Sequence, residues 1–242
     1  MIPVSIVVPV LNEAPRIGHL LRDLRAAGTP CEIIVVDGGS RDATVALARP
    51  LADRLLQVSP GRAAQLNAGA AVARGRQLWF VHADTELPGP VDEYLRAVSH
   101  GGQWGFFRLR LSGRRPAFRL IERCICWRSR ATGVVTGDQG LFVRRALFER
   151  LGGCADLPLM EDVELTKRLR RMASPTFVPL ALQSSSRRWE VNGVVRTVLL
   201  MWWLRLRYFL GAHPAELARD YGATPSRSAH VADLSEGAGG EG

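Results

Sequence analysis

Gln77-Leu78-Trp79-Phe80-Val81-His82-Ala83-Asp84-Thr85 is the stretch that decides the fold. Leu78 to Val81 is an unbroken apolar, aromatic and β-branched run, the pattern of a strand covered on both faces. Such strands belong to parallel sheets flanked by helices, where ligands bind beyond the carboxyl ends of the strands. Asp84 falls at that end. His82 and Asp84 are two apart, so extended geometry predicts that both side chains point the same way. One nitrogen and one oxygen donor there suit a divalent ion carrying phosphates. A plain loop running to Pro88 accounts for the same residues without a ligand.

The surrounding segments repeat the theme. Val4 to Val10 is a near-continuous apolar run, followed by Leu11-Asn12-Glu13, and reads as the first parallel strand. A helix is predicted from Ala14 to Ala27, with Ile17, Leu20, Leu21 and Leu24 on one face. Glu32 to Val36 is a second strand, which puts Asp37 at its carboxyl end before Gly38-Gly39-Ser40. Ser40 or Asp42 is placed to cap the next helix, Ala43 to Leu51, and neither role uses Asp37. A strand from Arg54 to Val58 leads to an alanine-rich helix opening at Gly61-Arg62. A cation at a helix N-terminus opposes the helix dipole, and makes sense if a diphosphate binds there; a solvated arginine is the plain alternative. Four strands alternating with helices form a doubly wound nucleotide-binding half. No GxGxxG follows the first strand, which argues against a dinucleotide-binding domain.

Beyond Pro90 the pattern loosens. Val91 to Val98 is a predicted helix, Gln103 to Leu111 an alternating, half-exposed strand, and Phe118 to Trp127 an apolar helix. Thr136-Gly137-Asp138-Gln139-Gly140 is a Gly-rich loop entering a strand, with a helix from Arg145 to Leu151 next. Leu159 to Leu169 is predicted to be one helix with Glu161 and Asp162 at its start, where acids suit the dipole and only one of the two is needed for capping. The tail from Ala223 is rich in Gly, Ala, Ser and Glu and is expected to be disordered. The domain is thus expected over residues 1–222, with a nucleotide-binding half (1–89), an acceptor half (90–190) and C-terminal helices (191–222).

The net charge is +9 over 242 residues, and Lys167 is the only lysine. The arginines are scattered, which favours anionic small molecules or a membrane surface over a nucleic acid. None of the four cysteines forms a CxxC pair or a zinc spacing. The chain enters a strand almost at once, without a signal-peptide core, so cytoplasmic residence is the expectation, with the inner face of the membrane as a second location. Val194 to Leu210 is strongly apolar but carries Arg196, Arg205 and Arg207, which argues against a transmembrane span. Its Trp202, Trp203, Tyr208 and Phe209 suit an interfacial helix facing lipid, and equally a core helix or a dimer contact.

Four stretches then coincide. SIVVPVLNE, VVDGGSRDAT, GRAAQLNAG with FVHADT, and GDQGLFVRR with LMEDVELTKRLRR run in order across most of Ser5 to Trp189, and in that order they resemble the GT-A fold glycosyltransferases of family 2. GDQG followed by MED and SRRW resembles the small subgroup described as radical-SAM/selenodomain-associated transferases, with a proposed arsenosugar link. The resemblance implies an α/β, Rossmann-like three-layer sandwich with a mainly parallel sheet plus C-terminal helices. It implies a metal-dependent, inverting transfer of sugar from a nucleoside diphosphate sugar, UDP-sugars favoured, to an acceptor hydroxyl, with Mg²⁺ or Mn²⁺. Pro9, Glu13 and Asp37 would line the nucleoside pocket and Arg62 would lie near the diphosphate. Asp84 would end the metal-binding DxD motif, Asp162 would be the base, and Gly137, Asp138, Gln139 and Glu161 would shape the acceptor side. Arg188 and Trp189 would match the end of the QxxRW motif, Arg188 on the donor side and Trp189 on the acceptor side. Two departures stand out: His82 occupies the first DxD position and Ser185 replaces the glutamine of QxxRW. Two rivals remain. A sugar nucleotidyltransferase would need a Gly-rich basic loop where Leu11-Asn12-Glu13 stands. A non-catalytic basic module for membranes or anions would have no need of Asp162.

Overall fold

The computed structural model describes residues 2–221 and 232–233; the side chains of Arg188, Trp189 and Asn192 lie outside the described residues. The expected roles of Arg188 and Trp189 therefore fall outside them too, as does the tail beyond Ala223 apart from Ala232–Asp233.

The doubly wound half is present as read. β1 (Val4–Val10), β2 (Cys31–Asp37), β3 (Arg54–Gln57) and β4 (Gln77–Phe80) alternate with α1 (Ala14–Arg25), α2 (Thr44–Ala48) and α3 (Arg62–Val72). A 3-10 turn, Arg49–Leu51, extends α2. The other half adds α4 (Val91–His100), β5 (Trp104–Leu111), α5 (Pro116–Thr132), β6 (Phe142–Arg144), α6 (Arg145–Arg150), α7 (Glu161–Met172) and β7 (Thr176–Ser184). Three C-terminal helices follow, α8 (Arg187–Asn192), α9 (Val194–Phe209) and α10 (Pro214–Tyr221), and Ala232–Asp233 form the short β8.

All eight strands belong to one sheet, in the order β7-β5-β6-β4-β1-β2-β3-β8. The pairs β1–β2, β1–β4, β2–β3 and β5–β7 are parallel; β6 runs antiparallel to both β4 and β5, and β8 to β3. The chain winds outward from β1 through β2 to β3, then returns to place β4 on β1's other side. The β1/β4 boundary is therefore the topological switch point, where a crevice opens at the strand ends.

The pleat of β1 sends Val4, Ile6, Val8 and Val10 to a core with α1 and α4, and Val7 to a second core with α3, α6 and α7. Two buried faces explain the lack of polar alternation in β1 and β4. α3 packs closely on β1 at Gly69, where a Cβ would stand 2.4 Å from Val7 Cγ1. β5 departs from its expected alternation: Trp104 to Phe107 are all buried, and only Arg108 and Arg110 face out. β7 was not predicted at all. Its exposed Pro179 and mixed burial are those of a sheet edge, which leaves little periodic signal.

Candidate active site

The shelf at the ends of β1 and β2 is built by side chains bonding to backbone. Asn12 adopts the left-handed region (φ 55°). Its N–H donates to Ser40 Oγ (2.9 Å), and its own Oδ1 accepts from Arg41 N (2.9 Å). The N–H groups of Glu13 and Ala14 donate to Thr44 Oγ1 (2.8 Å) and Asp42 Oδ2 (3.2 Å). Asp42 Oδ1 also accepts from Thr44 N (3.0 Å), so Asp42 serves both loops, while Ser40 binds Asn12 rather than α2. Beneath them, buried Gln65 donates to the carbonyls of Val10 (2.9 Å) and Val36 (2.8 Å). Asn12, Thr44 and Gln65 carry no sequence signal of these roles, because a side chain bonding backbone 29 to 55 residues away has no local signature.

Pro9 is compatible with its strand for a topological reason. Val7's carbonyl faces β4, accepting from Val81 N (3.1 Å), and Val10's faces β2, accepting from Gly38 N (2.9 Å). Odd positions of β1 thus face β4, whose pairing stops at Val7–Phe80. Pro9's missing N–H therefore falls on the open crevice and costs no ladder bond. Asp37 is fully buried and accepts from Gly39 N (3.0 Å) and Ser40 N (3.0 and 3.1 Å), with Gln57 Nε2 at 3.5 Å. Glu13 pairs with Arg16 at 3.0 Å. Burial raises its pKa against that pairing, and the nearby charge of Asp84 adds to the rise.

β4 ends at Phe80, so His82 and Asp84 are not on an extended strand as expected; they sit in a turn closed by Thr85 N to the His82 carbonyl (3.1 Å). The turn still delivers both to one cavity, of about 560 Å³, also lined by Arg62, Gly137, Asp138, Glu161 and Asp162. Burial and the neighbouring Arg62 depress the His82 pKa to about 3, leaving a neutral imidazole, the form that ligates metal. Asp84 and His82 give a hard oxygen and a borderline nitrogen donor. Among the described residues no group of three or more His, Cys, Asp or Glu is close enough to hold a metal ion by itself. The donor set therefore fits a divalent ion that completes its shell with phosphate oxygens and water, as Mg²⁺ and Mn²⁺ do in nucleotide sites.

α7 aims the acids. Met160 precedes it in the left-handed region (φ 68°), a strained conformation for a long side chain and one that clusters at functional sites. Neither Glu161 nor Asp162 caps the helix through an N-cap bond. Asp162 Oδ2 instead accepts from Gly137 N (2.8 Å) and its Oδ1 from Val163 N (2.7 Å). Gly137 lies between the Asp162 carboxylate and the His82 imidazole: a Cβ there would stand 2.8 Å from His82 Nε2 and 3.7 Å from Asp162 Oδ2. Any other residue would push these two groups apart. Buried Glu161 faces Arg62 at 3.5 Å, too long for a hydrogen bond, and its Oε1 has no other partner. Burial, then Asp162, raises the Glu161 pKa well above the usual carboxylate range. Burial works against charge on Arg62, but Glu161 and Asp162 outweigh it and raise that pKa. The Arg62 side chain is half exposed at the mouth of α3 and stands 3.5 Å from Glu161.

The Gly137–Gln139 segment is a 3-10 turn with a Thr136–Gln139 capping box. Gln139 is fully buried and accepts from Ser129 Oγ (2.8 Å), so it holds the loop and does not line the cavity. Asp138 does line it; its Oδ1 is buried without a partner, and burial raises its pKa.

Residues 5–97 match the family described as Glycosyl transferase family 2. The chain is 31% identical over 175 residues to the undecaprenyl-phosphate 4-deoxy-4-formamido-L-arabinose transferase of Pseudomonas aeruginosa, covering 63% of this chain and 50% of that protein. The Pseudomonas fluorescens protein of the same description is 30% identical, with the same coverage. The chain thus spans about half the length of the curated relatives it matches. Among solved structures, S. aureus TarS with UDP superposes with a TM-score of 0.61 at 19% identity, over 76% of this chain and 60% of that one. The Pyrobaculum calidifontis mannosyltransferase PcManGT, solved with GDP-Man and Mn²⁺, gives a TM-score of 0.57 at 24% identity, over 76% and 57%. The fold is the GT-A glycosyltransferase fold expected from the sequence, with a mixed, mostly parallel sheet.

Proposed function

We propose that this chain is a metal-dependent, inverting glycosyltransferase that moves a sugar from a nucleoside diphosphate sugar to an acceptor hydroxyl, with Asp162 as the base. The observation that carries the proposal is the gathering of Asp162, Gly137, His82, Asp84 and Arg62 around one cavity at the switch point. The nucleoside would lie along the Pro9, Glu13 and Asp37 shelf and the diphosphate against Arg62. Mg²⁺ or Mn²⁺ on Asp84, with His82 beside it, would neutralise charge on the leaving diphosphate. Asp162 would take the acceptor hydroxyl proton as that oxygen bonds the anomeric carbon. The bond from that carbon to the diphosphate breaks, and its electron pair leaves with the phosphate. Gly137 N fixes the Asp162 carboxylate in place while leaving lone pairs free. UDP-sugars remain the favoured donors of this reading. The test is transfer assayed with UDP-, GDP- and dTDP-sugars with and without Mn²⁺, in wild type and Asp162→Asn. Near-normal turnover in the variant would remove Asp162 as base.

The kinship with the radical-SAM/selenodomain-associated subgroup rests on the GDQG, MED and SRRW segments. Peripheral membrane contact through residues 194–210 is supported by the exposed Val195, Leu199, Trp202, Trp203 and Leu206 of α9. Among the described residues no helix is long and apolar enough to cross a membrane.

A further inference from the structure

Glu161 makes a contact that the transfer mechanism leaves without a task. It lies in the first turn of α7, is 4% exposed, and lines the cavity beside Asp162. The Arg62 guanidinium stands 3.5 Å away, and Glu161 Oε1 accepts no hydrogen bond. The two partners are held differently: the Glu161 side chain is 5% exposed and that of Arg62 50%. The acid is fixed in the cavity wall, while the cation sits at the mouth on a long flexible stem.

An ion contact of that length, without the paired hydrogen bonds of a fork, does not fix Arg62 in one orientation for a ligand. It does set a negative charge beside the cation that a donor diphosphate would need. Arg62 opens α3, whose start at Gly61 has no side-chain cap bond, so the helix end favours an anion as the arginine does. A diphosphate arriving there and Glu161 would compete for one guanidinium. A buried carboxylate stripped of its counter-ion is costly, so Glu161 draws Arg62 back. Once the sugar has been transferred, that pull works toward departure of the diphosphate.

Resting on the glycosyltransferase reading, we propose that Glu161 is a positioning residue of the donor side: a built-in counter-ion that competes with the diphosphate for Arg62 and speeds release of the nucleotide after transfer. This moves Glu161 away from the acceptor side that the family resemblance implies. Removing a clamp on Arg62 would weaken nucleotide binding; removing a competitor strengthens it. A purely structural acid would have no effect that depends on Arg62.

The test is calorimetric binding of UDP, GDP and dTDP, each with Mn²⁺, to the full chain at alkaline pH, above the raised pKa of Glu161, with release followed by stopped flow. For the nucleotide that wild type binds best, Glu161→Gln should tighten binding roughly fivefold, mostly through slower release. In an Arg62→Gln background the same change should alter affinity by less than about twofold. The matching nucleoside, which lacks the diphosphate, should bind wild type and Glu161→Gln alike. Unchanged or weaker diphosphate binding in Glu161→Gln would overturn the proposal. So would equal tightening with and without Arg62, which would make Glu161 a direct repeller of the ligand, or an altered affinity for the nucleoside, which would make it a support of the pocket. In each of those cases wild type still binds a diphosphate, and the donor site stands. Wild type that binds none of the three counts against the transferase reading itself.

Discussion

The two ends of one sheet treat buried carboxylates in opposite ways. At the amino ends of the strands, Glu32 is 3% exposed and fully partnered. It accepts from Ser5 Oγ (2.5 Å) and Arg74 N (2.8 Å), with the guanidinium of Arg54 at 3.6 Å. Ser5 Oγ in turn accepts from Gly75 N (2.8 Å), which ties β1, β2 and the turn before β4 together. At the carboxyl ends, Glu161 and Asp138 are also shielded, yet each keeps an oxygen that accepts no hydrogen bond, Glu161 Oε1 having only the Arg62 guanidinium at 3.5 Å. Glu32 ties elements of the fold together, whereas Glu161 and Asp138 face the cavity. Unpaired buried atoms also occur at the amino end of β4, at Gln77 Oε1 and Arg144 Nε; what sets Asp138 and Glu161 apart is that they are acids lining the cavity.

Substitutions can break this contrast. The largest effect is expected at Asp162→Asn: transfer should fall by roughly 10²–10⁴, with the melting temperature and donor-induced shift of wild type, as read by single-turnover assay and calorimetry. Next is Glu32→Ala. It strands Ser5 and the arginines around a cavity and should cost about 3 kcal/mol of unfolding free energy in a urea titration. Glu161→Gln, at the other end, should be neutral or stabilising at neutral pH. The sign follows from protons: a carboxylate whose folded pKa is raised above 4.5 binds more protons folded than unfolded in that window. Wild-type stability therefore falls as pH rises from 4.5 through the raised pKa, and Glu161→Gln should remove that decline. An equal pH slope in both proteins would mean that Glu161 is not held protonated by its surroundings. Arg62→Gln should weaken donor binding about tenfold, seen as a raised KM. The smallest effect is Trp202→Ala, within about 0.5 kcal/mol in stability because the ring is mostly exposed.

The same contrast explains what was legible in the sequence. β1, β2 and β4 stand out because both faces are buried and their central residues form apolar runs, against which the acids at their carboxyl ends are conspicuous. His82 and Asp84 were paired for the wrong geometric reason; a turn, not a strand, brings them together. β7 escaped because its Pro179 and Gln183 belong to an edge, where burial is partial. α10 follows a Gly-Ala-His-Pro break and buries only Leu217 and Ala218, too little to imprint a period. The unpartnered state of Asp138, Glu161 and Arg128 is a tertiary property, since it depends on what four separate elements fail to supply. Gly137 could be read as a loop glycine but not as the spacer between an imidazole and a carboxylate.

The central claim is that the carboxyl end of the sheet is a metal-assisted donor site. The most direct measurement is the melting temperature of wild type and Asp84→Ala with UDP-, GDP- and dTDP-sugars, each with and without Mn²⁺. At a hundred times its dissociation constant, a bound donor should add about 2.7 kcal/mol to native stability. The account predicts a Mn²⁺-dependent rise with one nucleotide in wild type and its loss in Asp84→Ala. Wild type that melts at one temperature under every condition, or a rise that survives in Asp84→Ala, would contradict it.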